Sequence, residues 1–181
     1  TSRKTFTYSW WWKRYDASST GTQSTNIFTA GTGGGTYVFF TFTNSSVMQA
    51  NFNFTGGNFV DSRLTTNMQF RDTSAWYHCV LRFDSTQSTA TNRVRLYVNG
   101  TEVSYSSQTV TGAIDEDEAW PHMNADGEIQ AWGGLSGKGH GTEGADLQIA
   151  EIVFNDGQSY GPDSFGETKN GVWIPKDPSG L

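Results

Sequence analysis

Two runs of alternating residues, joined by a polar loop, carry the clearest structural signal in the chain. Tyr77, Cys79, Leu81 and Phe83 alternate with His78, Val80 and Arg82, the period of two expected of a strand that buries one face. After a loop of Ser, Thr, Gln and Asn, Val94, Leu96 and Val98 alternate with Arg95 and Tyr97. The second run stops at Asn99-Gly100, a dipeptide suited to the positive φ angles of a tight hairpin turn, with Thr101-Glu102-Val103 as the return. Near the N-terminus Phe6, Tyr8, Trp10 and Trp12 form one wholly aromatic face, and Trp11 lies on the other.

The remaining pattern predicts strands over 26–30, 37–43, 47–54 and 64–70, with a short piece at 58–60. Glycine turns at Gly31–Gly35 and Gly56-Gly57 separate them. From Ser104 to Asp126 the alternation fades, which predicts a long irregular excursion. A short strand over 128–132 follows, then a glycine-dense loop (Gly133–Gly144), a strand over 148–155 and one helical turn near 162–167. Many short strands and no helix-length repeat predict an antiparallel two-sheet sandwich. We find no linker or internal repeat, so residues 1–181 read as one β-sandwich domain.

Composition narrows the function. Twelve Phe, seven Tyr and seven Trp provide core material in a chain that is only 35% hydrophobic. The net charge of −6 argues against nucleic acid and anionic membrane as partners. No apolar run approaches the ~20 residues of a membrane span, and the N-terminal residues do not read as a signal peptide. The single cysteine, Cys79, excludes an intrachain disulfide and falls inside a strand, where a small buried thiol is the ordinary case.

The residues Trp76-Tyr77-His78, Phe83-Asp84 and Leu96-Tyr97-Val98-Asn99-Gly100 resemble the signature of laminin-G-like domains in the concanavalin A-like lectin/glucanase superfamily. That resemblance implies a jelly-roll sandwich. A narrower one runs through TFTYSWWWKR (5–14), FRDTSAWYHCVLRFD (70–84) and IAEIVFNDGQSYGPDSFGETKNGVWIP (149–175). These are similar to laminin-G-like domains found in virion structural proteins of tailed bacteriophages, especially marine ones. Trp12 and Asn155 depart from the smaller or apolar residues usual there. The resemblance implies a segment of a longer virion protein without enzymatic activity, attaching a tail fibre, appendage or capsid surface to a host or glycan. Its partners would be other virion subunits or further copies of itself. A decoration module making only protein contacts, or a glycan-degrading enzyme, are the competing readings.

Candidate chemistry is sparse. Asp115-Glu116-Asp117-Glu118 reads as a solvated loop, as a calcium site built from hard oxygen ligands, or as a catalytic carboxylate pair. The apolar interleaving that would anchor a catalytic strand is missing from it. His78, His122 and His140 lack metal-ligand spacing, and His78 reads as a structural hydrogen-bonding residue. No G-x-S-x-G elbow or P-loop order is present. Aromatic rings that could stack on a sugar are the better lead: Trp120 and His122 in the excursion, Trp132 beside the glycine loop, and Tyr105. The competing reading makes them cover for the core.

Overall fold

The structure, a computed structural model, describes residues 2–15, 25–31, 36–43, 45–55, 58–59, 63–110, 114–120, 122–133 and 146–181. Its strands are β1 (Thr5–Arg14), β2 (Thr25–Ala30), β3 (Thr36–Phe42), β4 (Val47–Thr55), β5 (Asn58–Phe59), β6 (Arg63–Gln69) and β7 (Tyr77–Asp84). They continue with β8 (Val94–Val98), β9 (Thr101–Glu102), β10 (Tyr105–Thr109), β11 (Gln130–Trp132), β12 (Leu147–Asp156), β13 (Gly166–Lys169) and β14 (Val172–Pro175). One antiparallel sheet has five strands in the order β12-β1-β7-β8-β9. The other has seven, in the order β10-β6-β4-β3-β2-β11 with β5 beside β4. This is the expected jelly-roll sandwich.

The aromatic face of β1 fills the space between the sheets. Trp12 lies 4.8 Å from Phe42 and Trp10 6.0 Å from Phe40 across the interface, and Tyr8 lies 5.4 Å from Phe28. The alternation read in β7 and β8 is present in register, with Cys79 opposite Val98, Leu81 opposite Leu96 and Phe83 opposite Val94. All six are buried. Burial pushes the Cys79 thiol up to about 12, while the Trp12 indole N–H donates to its sulfur at 3.1 Å. Leu81 is fully enclosed, so Leu81→Ala should cost about 2–5 kcal/mol in a urea or thermal denaturation. A loss within measurement error would mean that the face has been misread.

Two parts of the sequence pattern are corrected. The excursion from Ser104 is not irregular throughout: β10 forms inside it and pairs antiparallel with β6. Its side chains are Tyr, Ser, Gln and Thr, so partial burial left no apolar alternation to read. The helical turn expected near 162–167 is present but shorter, Pro162–Ser164, and a hairpin of β13 and β14 that the pattern did not predict follows it. Residues 32–35, 56–57, 60 and 134–144 of the expected turns and loops lie outside the described residues.

The signature residues have local explanations. Asp84 closes the corner after β7: its carboxylate accepts from the Thr86 hydroxyl and amide and from Gln87 Nε2. Burial alone would raise its pKa, but those hydrogen bonds outweigh it and hold Asp84 below the usual carboxylate range. Asn99 and Gly100 both take positive φ, 47° and 82°, which a hairpin turn of this length needs.

Candidate functional site

The outer face of the five-stranded sheet carries polar side chains along β1 and β7, several of them shielded from water. Thr7, Ser9 and His78 are all buried. The covering comes from the chain after β12. The Thr7 hydroxyl donates to the Gln158 carbonyl at 2.8 Å and accepts from the Tyr160 amide at 2.9 Å, and Arg82 hydrogen-bonds Ser159. The β13–β14 hairpin then lays Trp173 over the sheet.

Trp173 is held by a short relay. Its indole N–H donates to His78 Nδ1 at 2.9 Å, and an indole nitrogen can only donate. His78 Nδ1 is therefore the bare nitrogen, and Nε2–H donates to Ser9 Oγ at 2.8 Å. Trp11 stacks on the His78 ring at 4.8 Å. Burial in this stack drives the imidazole down from 6.5 to about 4. Glycines make room for the indole: a β-carbon at Gly100 or Gly166 would lie 2.5 Å from Trp173 ring atoms. His78 is thus the structural hydrogen-bonding residue expected from the sequence.

Beside this relay a groove of about 340 Å³ opens to solvent, lined by Trp11, Trp76, Trp173, Ala150, Glu151 and Pro175. Trp76 is 41% exposed. The volume falls in the range of small-ligand sites, and an apolar lining with one convergent polar group is their usual composition. The groove owes that polar group to an irregularity. The β1–β12 register slips between Ser9, opposite Val153, and Trp11, opposite Ala150, so β12 bulges. Glu151 sits in the bulge at φ 52°, a left-handed conformation that costs a non-glycine residue on the order of 1–3 kcal/mol.

The ring residues singled out from the sequence do not gather at this groove, and they do not share one neighbourhood. Trp120 is fully buried, 5.6 Å from Phe6 and 4.7 Å from Phe83, so the expectation of a rim ring is corrected: it belongs to the core. Trp132 is partly buried and packs 4.9 Å from Phe28 and 5.5 Å from Trp10. Tyr105 is half-buried; its hydroxyl accepts from the Leu96 amide at 2.9 Å, and burial pushes it up to about 12. His122 Nδ1 lies 2.8 Å from Glu128 Oε1.

The acidic run forms a turn in which three of the four carboxylates face separate partners. Glu118 accepts from the Asp115 amide at 2.9 Å, Asp117 faces Lys4 at 3.6 Å and Glu116 faces Arg93 at 3.7 Å. Among the described residues, no group of three or more His, Cys, Asp or Glu side chains is disposed to hold a metal ion.

The groove escaped the sequence reading because its members are scattered from position 11 to position 175. The signals were present singly: Trp11 on the non-core face of β1, Trp76 ahead of β7, and the Gly-Val-Trp-Ile-Pro run near the C-terminus.

Solved structures with the same architecture share little sequence with the chain. The carbohydrate-binding module CBM40 of the Ruminococcus gnavus IT-sialidase, bound to α2,3 sialyllactose, aligns with a TM-score of 0.53 at 13% identity, covering 84% of this chain and 79% of the module. Trypanosoma rangeli sialidase, in complex with the inhibitor DANA, aligns at 0.55 and 13% identity over 87% of this chain but 21% of that enzyme. A heptameric SAP-like pentraxin from Limulus polyphemus aligns at 0.50 and 13% identity over 87% of this chain and 65% of the pentraxin. At these identities the likeness speaks to the fold alone. The sequence matches no curated protein. Residues 1–137 of the 181 do match a family description in their own right, and with the sandwich in place the chain belongs to the concanavalin A-like lectin/glucanases superfamily.

Proposed function

We propose that this domain is a non-enzymatic glycan-binding module of a tailed-bacteriophage virion, and that it attaches the particle to a host or surface glycan through the tryptophan groove. The observation that carries the reading is the groove itself. Three indoles line it with a single carboxylate, the combination that stacks on the C–H face of a sugar ring while accepting from its hydroxyls. The phage setting is supported by the sequence resemblance across 5–14, 70–84 and 149–175. Glycoside cleavage calls for two facing carboxylates roughly 5–10 Å apart. Among the described residues the groove offers one, and Glu116, Asp117 and Glu118 each face a different partner elsewhere.

The test is competition. Excess domain should reduce adsorption of the parent phage, and Trp76→Ala should weaken that effect roughly tenfold, since an exposed stacking ring is worth about 1.4 kcal/mol. Unimpaired adsorption, with the domain found bound to virion subunits, would instead favour a decoration module.

A further inference from the structure

We propose that Glu151 is the specificity residue of the groove and selects an uncharged hexose unit against acidic sugars. The inference rests on the glycan-binding reading and adds the chemical class of the ligand. Ala150 and Glu151 are consecutive in β12, and both line the groove. A regular strand sends neighbours to opposite faces, so only the bulge places both side chains on the same side. Glu151 takes a left-handed backbone where it lines the groove, and strain held beside a cavity is a recurrent mark of a binding site.

Charge then decides among ligands. Glu151 is the only ionisable side chain among the described residues that line the groove, and no described residue pairs with its carboxylate. An adjoining hollow that Glu151 also lines includes Lys176, which forms no ion pair with it and donates to the Asp163 carbonyl at 3.1 Å. A sialic or uronic acid would bring a second negative charge beside a carboxylate that has no ion-pair partner among the described residues, on a chain of net charge −6. A neutral pyranose offers an apolar face to the rings and vicinal hydroxyls that donate to the carboxylate, the stronger charge-assisted kind of hydrogen bond.

The experiment presents the 181-residue protein to an array of neutral glycans and their sialylated or uronic counterparts, and then measures tryptophan fluorescence with the best neutral glycan and its acidic partner. Neutral glycans should bind at least tenfold tighter. Glu151→Gln should weaken the neutral ligand about tenfold and narrow the gap. Glu151→Asn should lose binding while its melting temperature stays equal or rises by a few degrees, because asparagine tolerates the left-handed backbone. That rise separates lost binding from lost folding. Equal binding of acidic glycans, or an unchanged ratio in Glu151→Gln, overturns the selection while leaving the glycan reading intact. Binding of tetramethylammonium in place of any sugar overturns it in favour of a cation cage, and binding of no glycan overturns both readings.

Discussion

Replacing Trp120 with alanine is expected to cost about 3–5 kcal/mol of folding stability and to leave the glycan affinity of the protein that remains folded unchanged. The indole is fully enclosed between Phe6 of β1 and Phe83 of β7, and the Trp120 amide donates to the Arg3 carbonyl at 2.9 Å. Its removal opens a cavity at the end of the sandwich that these rings cannot fill without tilting out of contact. Urea denaturation of Trp120→Ala beside Trp76→Ala separates the two roles. The first should lower the midpoint steeply, whereas the second, at an exposed ring, should lower it little and reduce binding. A Trp120→Ala protein of wild-type stability would show that the loop carries the ring away from the core.

Acidification should destabilise the fold through His78. Its folded value of about 4 lies below the 6.5 of an exposed histidine, so the unfolded chain takes up the proton first. The stability it contributes is complete above pH 6.5, declines as the pH falls toward 4 and is gone below that. Across the window the loss is roughly 3 kcal/mol. The structural reason is specific: an imidazolium has two N–H donors, so Nδ1 can no longer accept from Trp173. His78→Gln keeps an acceptor for Trp173 and a donor for Ser9 without a proton to gain. Its unfolding free energy should therefore change much less between pH 7 and pH 4.5 than that of the wild type. Asp84 and Asp156, which hydrogen bonds hold below the usual carboxylate range, contribute their own losses at lower pH, and equally in both proteins. Parallel pH profiles would place the titration elsewhere.

What could be read in the sequence was whatever one strand decides alone. Tyr77, Cys79, Leu81 and Phe83 share the inner face that their alternation marks, whereas the burial of His78 and Val80 on the outer face depends on later parts of the chain. Trp11 could be placed opposite the core face, but not in a groove, because that groove is completed by Trp173 more than 150 residues later in the chain. Trp120 sits where no periodicity speaks, so a core ring and a rim ring look alike. The acids of 115–118 are legible as charge, but their pairing with Lys4 and Arg93 depends on the return path of the chain. The bulge at Glu151 left no trace, because Ile149, Glu151 and Val153 still alternate in the sequence while the backbone does not.

The family match ends at residue 137, whereas β12 begins at Leu147. A recombinant fragment trimmed to that boundary would lose the outermost partner of β1 and bare a ten-residue strand carrying three adjacent tryptophans along an unpaired hydrogen-bonding edge. Exposed edges of that kind recruit other chains. Such a fragment would self-associate, and the clumping would be easily mistaken for avid ligand capture. The practical unit for display or crystallisation therefore runs through Pro175, with the segment from Leu147 onward serving as the guard rail of the first strand.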